Sequence, residues 1–183
     1  MRPVLLGAAA VGYACGCVSP ATWLASARGI DLRSIGSGNP GASNAGRALG
    51  RRAGLLVAVL DGLKGLVPAA GFRVLDDAAG QVAGVAAVVG HVSSPLLRGR
   101  GGKGVATSFG AVLGTHPTWA PAMLLTWGSV LAATRWIALS SVSSAGALVV
   151  LAALRDEDVA WAGVLFTIIV VRHRSNFARG WRG

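Results

Sequence analysis

Acidic residues are scarce in this sequence: seven aspartates and glutamates stand against 17 lysines and arginines in 183 residues, for a formal net charge of +10. Charge of either sign makes up only 13%, about half of what soluble domains carry. Aromatics are 6%, and no interleaving of rings with bases offers a surface for stacking nucleobases. The basic excess therefore does not read as a nucleic-acid footprint. Cysteine is limited to Cys15 and Cys17, two apart in one apolar run. On a helix they point to different faces and cannot bridge, so they read as small apolar residues. No Cys/His cluster has zinc spacing, and no metal is expected. What is abundant is apolar: 53% of the residues, with a mean hydropathy of +0.60. A core of this size cannot hide that much apolar surface, and a bilayer is the natural solvent for the rest.

Apolar stretches fall at 3–26, 52–72, 78–97, 105–116, 117–134, 138–154 and 157–172. A span takes about 20 apolar residues. The first stretch is too long for a signal-peptide core and lacks a cleavage zone, so it reads as a retained span. Bases collect on cytoplasmic loops. Arg28, Arg33, Arg47, Arg51 and Arg52 occupy the first connection, and Arg98, Arg100 and Lys103 the third. Arg135 lies in the fifth, and Arg172, Arg174, Arg179 and Arg182 in the tail. Arg73 and Arg155 share the second and sixth connections with Asp76, Asp77, Asp156, Glu157 and Asp158. The first, third and fifth connections and the tail are thus expected inside, with the N-terminus outside. Parity then requires 105–134 to be two spans turning near Pro117. The expectation is an all-α integral membrane protein with seven transmembrane helices, forming a single multi-pass domain over 1–183. Gly12/Gly16 and Gly80/Gly84 have the small-xxx-small spacing of close helix packing.

Three polar islands interrupt the apolar pattern, all on the predicted cytoplasmic side. The first spans 34–47 and holds Ser37, Gly38, Asn39, Gly41, Ser43, Asn44 and Arg47. Its Gly36, Gly38 and Gly41 have GxGxxG spacing, but no strand precedes them and Pro40 sits inside the turn, so a dinucleotide site is rejected. The glycines support a tight loop whose N–H groups wrap an anion, with Arg47 as a planar fork for phosphate oxygens. The second spans 90–107, with Gly101, Gly102 and Gly104 around Lys103. A Walker A motif fails, because Leu97 occupies the first glycine position and Gly104 follows the lysine. The glycines are expected to expose N–H groups beside the cation, and a helix beginning near Val105 adds its N-terminus. The third spans 171–179, where His173 and Asn176 share a face if the last helix continues through them. Within the second span, Asp61 and Lys64 are three apart and can pair, as a self-neutralising structural unit or as a functional one.

No enzyme nucleophile is evident. The cysteines lie in a span, and no Ser/His/Asp arrangement appears. The His-x4-Asp pattern of soluble-type glycerolipid acyltransferases is also missing: Leu96, Pro121 and Ala178 lie five after His91, His116 and His173. A transporter of phosphorylated solutes would show internal repeats with midplane sites, and none is seen. A structural subunit with lipid-binding basic loops would leave the glycines unexplained.

The segments GSGNPGASNAGR at 36–47, DGLKG at 61–65, GHVSSPLLRGRGGKGVAT at 90–107 and HRSNF at 173–177, in this order and spacing, resemble the bacterial acyl-phosphate:glycerol-3-phosphate acyltransferases, the PlsY family. The resemblance runs over nearly the whole chain. It implies seven spans with the motifs on the cytoplasmic face of the bacterial inner (plasma) membrane. It also implies acyl transfer from acyl phosphate to the 1-hydroxyl of glycerol 3-phosphate, without cofactor, by a monomer. Carried over by position, Arg47, Lys103, His173 and Asn176 are the implied catalytic group. Ser37, Gly38, Asn39, Gly41, Ser43, Asn44, His91, Gly101, Gly102, Gly104, Thr107, Ser140 and Ser141 are the implied substrate contacts, with Asp61 and Lys64 as a supporting pair. Ser43 replaces the usual threonine and keeps the hydroxyl. Ala138 stands where relatives tend to carry a serine.

Overall fold

A computed structural model describes residues 2–180; Arg182, counted above with the basic tail, lies outside them. The regular elements among the described residues are all helices, without a strand, and the described residues divide into two compact units, 2–115 and 116–180. Four helical segments are long and apolar enough to cross a membrane: Pro3–Ser26, Arg51–Arg73, Asp77–Leu97 and Ile137–Arg155.

The first unit begins with α1 (Pro3–Cys17) and α2 (Pro20–Ser26). The expected first span is therefore broken, because Pro20 carries no N–H and starts a new helix capped by Ser19 Oγ, which accepts from Thr22 N–H. Next come α3 (Ala42–Leu49), a short helix where the sequence reads as a tight anion-wrapping loop, and α4 (Arg51–Arg73). Then follow α5 (Asp77–Ser93), a single 3-10 turn at Pro95–Leu97, and α6 (Val105–Thr115). α1 packs on α5, and α4 on α5 and α6. These seams are built from small residues. A Cβ on Gly12 or Gly16 would run into the Ala83 or Ala87 carbonyl, and one on Gly110 into that of Gly62. Backbones touch where soluble proteins interpose side chains.

The ends of this unit are tied by polar contacts. Arg2 pairs with Asp76 at 2.6 Å at one end. At the other, an Arg33 guanidinium N–H donates to the Leu97 carbonyl at 3.0 Å. The first and third connections therefore meet, as the charge pattern expects.

The second unit holds α7 (Ala120–Thr134), α8 (Ile137–Arg155) and α9 (Val159–Ala178), with α8 packed on both others. The break between α6 and α7 falls at Pro117, as expected for two helices. Ser144 Oγ donates to the Met123 carbonyl at 2.8 Å. His116 stacks on Trp119 and meets Asp158 at 2.9 Å. Trp136 sits edge-on to Phe177, with centroids 5.1 Å apart.

Candidate active site

In the first unit, the 34–47 island is a loop pinned by Asn44. This residue is 1% exposed. Its Oδ1 accepts from Ser37 N–H at 3.0 Å, and its Nδ2–H donates to the Leu32 carbonyl at 2.9 Å. Gly38 has φ +66°, a region that favours glycine. The expected array of exposed backbone donors is mostly not there. Gly38 N–H goes to Ile35 O and Gly41 N–H to Asn39 O. The outward-facing chemistry belongs to side chains: Ser37, Ser43 and Arg47 are exposed and Asn39 is half-buried.

The 90–107 island shows the same correction. Gly101 N–H donates to the Val92 carbonyl at 3.2 Å and Gly102 N–H to that of His91 at 3.1 Å. These two glycines serve close approach: a Cβ on Gly101 would overlap the His91 carbonyl, and one on Gly102 the His91 ring. Gly104, at φ +82°, turns the chain into α6. That leaves Gly104 and the first turn of α6 as the N–H groups an anion could meet beside the half-buried Lys103. Thr107 and its neighbour Ser108 are fully buried, and neither hydroxyl has a hydrogen-bond partner.

Asp61 and Lys64 form the expected pair, Oδ1 to Nζ 3.0 Å. Two connections extend it. Lys64 Nζ donates to the Val18 carbonyl at 2.7 Å, and His91 Nδ1 lies 3.6 Å from Asp61 Oδ1. His91, 7% exposed, is turned towards Asp61 and Gly102 from behind the loop.

In the second unit, α9 runs through His173 and Asn176, so they share one helix. His173 is 1% exposed and its Nδ1 lies 2.8 Å from the Ile169 carbonyl. A carbonyl only accepts, so Nδ1 carries the proton and the lone pair of the neutral ring is on Nε2. Ser140 and Ser141, both buried, donate to the Trp136 and Ile137 carbonyls at 3.0 and 2.8 Å, which spends their protons on α8.

Two features went unread in the sequence. Arg33 ties the first two islands together, yet it looks like any base of a cytoplasmic loop. Ser108 gave no signal. A cleft of about 360 Å³ between α2 and the 29–33 segment is lined by none of the predicted ligands. Among the described residues, His116, Glu157 and Asp158 bring ligand atoms within 4.8 Å of one another and could hold a metal ion, away from the three islands in sequence.

Comparison with known proteins gives the family of the chain. The family model described as glycerol-3-phosphate acyltransferase matches residues 6–183. The glycerol-3-phosphate acyltransferase of Geobacter sulfurreducens is 40% identical over 175 residues, covering 93% of this chain and 90% of its own. Glycerol-3-phosphate acyltransferase 1 of Deinococcus radiodurans is 40% identical, covering 92% and 88%. The crystal structure of PlsY (YgiH), an integral membrane glycerol 3-phosphate acyltransferase, in its glycerol 3-phosphate form superposes with a TM-score of 0.91. That match is 32% identical and covers 96% of this chain and 90% of the other. Its lysophosphatidic acid form gives 0.88. Matched along nearly its whole length by the family model, by relatives 40% identical and by a solved structure of the same fold, the chain belongs to the glycerol-3-phosphate acyltransferase (PlsY) family and is an acyltransferase.

Proposed function

We propose that the protein transfers an acyl group from acyl phosphate to the 1-hydroxyl of glycerol 3-phosphate, giving lysophosphatidic acid and inorganic phosphate for bacterial phospholipid synthesis. It does so as one multi-pass domain of seven spans in the inner membrane. α1–α2, α4, α5, α6, α7, α8 and α9 supply the seven, and the site faces the cytoplasm. The protein acts as a monomer without cofactor, and its partners are the two substrates and the bilayer, from which the donor's acyl chain enters.

The observation that carries the reading is the joining, through Arg33 and Leu97, of the serine- and arginine-bearing loop to the glycine loop of Lys103. Two phosphorylated molecules repel one another, and catalysis consists largely of holding them together. Correct placement supplies roughly 7–11 kcal/mol. Lys103 and Arg47 neutralise the phosphates. Ser37, Asn39 and Ser43 donate to their oxygens, and Gly38 and Gly41 shape that loop. Gly101, Gly102 and Gly104 shape the lysine loop, and Thr107 offers a hydroxyl in the first turn of α6. Asn44 holds the first loop in form, and Ser140 and Ser141 keep lone pairs that can accept from a substrate hydroxyl.

Acyl phosphate is an activated mixed anhydride, so no covalent enzyme intermediate is needed. The 1-hydroxyl oxygen attacks the carbonyl carbon, and an ester C–O bond forms. The C–O bond to phosphate breaks, with the electron pair leaving on phosphate. The hydroxyl proton passes to a substrate phosphate oxygen, with His173 and Asn176 orienting the hydroxyl. His173 Nε2 is the rival acceptor.

Purified protein offered acyl phosphate, acyl-CoA and acyl carrier protein as alternative donors tests the reaction. Phosphate release is expected only with acyl phosphate and glycerol 3-phosphate together. Equal turnover with a thioester donor overturns the donor assignment. Near-normal turnover of His173→Gln rules out the direct base; a loss of several orders of magnitude counts against the phosphate route.

A further inference from the structure

We propose that Lys64 and Ser94 are positioning residues for the Ser37–Arg47 loop. They take the carbonyls that the break between α1 and α2 sets free, and so fix α2, the wall against which that loop is built. This rests on the reading above that the loop holds a phosphorylated substrate, whichever of the two it is.

The break leaves backbone acceptors to be satisfied. An unbroken helix would send the N–H groups of Ala21 and Thr22 to the Cys17 and Val18 carbonyls. Here Thr22 N–H goes to Ser19 Oγ at 3.4 Å. Side chains from other elements take both carbonyls. Ser94 Oγ–H, just beyond α5, donates to Cys17 O at 2.8 Å. The Lys64 ammonium, on α4, donates to Val18 O at 2.7 Å. The lysine side chain is 8% exposed and Ser94 1%. Asp61 neutralises the ammonium at 3.0 Å. A buried ion pair alone is weak evidence for stability. In this one the cation also meets a backbone acceptor that would otherwise stay bare inside an apolar segment. The break is therefore a joint held from α4 and from the end of α5.

What the joint aims is α2. Ala21 and Ala25 on α2 are buried in one cluster with Leu32, Ala45 and Val57. Two of these partners adjoin the fastening of the loop. The Leu32 carbonyl accepts from Asn44 Nδ2–H, and Asn44 Oδ1 accepts from Ser37 N–H. Ala45 follows Asn44 on α3, the helix that carries Arg47. A change in the direction of α2 thus bears on Leu32 and Ala45, and through Asn44 on Ser37. Lys64 and Ser94 lie outside the loop, so their effect runs through α2.

A chain of contacts is not yet coupling, so the test reads the place of α2 and turnover in the same molecules. Spin labels are attached to full-length protein through Ser26→Cys, exposed at the end of α2, and Arg52→Cys, exposed in the first turn of α4. The parent carries Cys15→Ala and Cys17→Ala, and electron paramagnetic resonance gives the distance between the labels. Turnover of acyl phosphate with glycerol 3-phosphate is measured on the parent first. Its absence would sink the reaction proposed above and not the joint, which the distances test alone. Ser94→Ala and the charge-neutral double variant Asp61→Asn/Lys64→Met are each expected to shift or broaden the distance and to lower kcat/KM about tenfold or more. Ser94→Ala removes one hydroxyl and strands no charge, so it decides the matter should the double variant not accumulate. An unchanged distance in the folded variants, or a shifted distance with kcat/KM within about twofold of the parent, overturns the proposal.

Discussion

Gly101 and Asn44 illustrate what a single letter conceals. Glycines beside a lysine suggest bare N–H groups waiting for an anion. In the fold the Gly101 and Gly102 N–H groups are already donated, and the smallness of these two residues lets the loop lie against the carbonyl and ring of His91. Both uses leave the same residue in the sequence, so the loop was legible and its reason was not. Gly101→Ala would press a methyl group onto the His91 carbonyl, a group that cannot rotate away. Activity should fall about a hundredfold or more. Gly71→Ala, inside α4 with nothing within 4 Å of the new atom, should not destabilise the protein and should leave activity within about twofold, helix propensity favouring alanine by up to about 1 kcal/mol. Asn44→Ala removes both bonds that hold the first loop and leaves the buried Leu32 carbonyl unmet, a cost of about 1–3 kcal/mol. A matching drop in unfolding temperature in detergent checks it, and an unchanged temperature contradicts it.

At the scale of elements, hydropathy located the apolar segments well because burial in lipid demands long uniform runs. It read less well where side chains and backbone bargain locally. The break at Val18–Ser19 depends on Pro20 and a serine cap, and α3 is a two-turn helix in a polar stretch, too short and mixed to announce itself. α5 begins with a cap whose chemistry is testable. Asp76 accepts from Ala79 N–H at 2.9 Å and pairs with Arg2. The Ala79 bond first, and Arg2 second, hold its carboxyl below the usual value. An acid lowered in the folded state contributes stability that is complete above its usual pKa and fades as pH falls through the folded one. The advantage of wild type over Asp76→Asn should therefore be present at neutral pH and shrink between about pH 5 and pH 3, since asparagine keeps a capping oxygen but no charge. A constant difference across that range would contradict the assignment. The α1–α5 seam is the second element-level test: Gly16→Val drives two methyl groups into the Ala87 backbone. It should prevent accumulation of folded protein, unlike a valine at the open position Gly163.

For the molecule as a whole, the charge pattern anticipated which connections share an end within each unit. Arg33 meets Leu97, Trp136 meets Phe177, and His116 meets Asp158. Parity could do this because each span reverses the side, so a few arginines constrain every turn between them. The proposed topology makes a direct prediction. In a protein whose two cysteines are replaced, single cysteines at Leu96 and Arg135 should label only from the cytoplasmic side. Those at Val74 and Asp156 should label only from outside, and labelling of all four from one face would refute seven spans.

The first unit owes its interior to alanine and glycine: Ala8, Ala69, Ala79, Ala83, Ala87 and Ala111 are wholly buried, and glycine backbones lie against carbonyls between them. Apart from Val57, Val88 and Val112, which are wholly buried too, an interior of this kind has little left to trim and no slack for enlargement. Sequence change in this half of the chain is thus directed outward, onto the lipid-facing leucines and valines. Any inward growth must arrive as a matched pair, one residue shrinking as its opposite number expands.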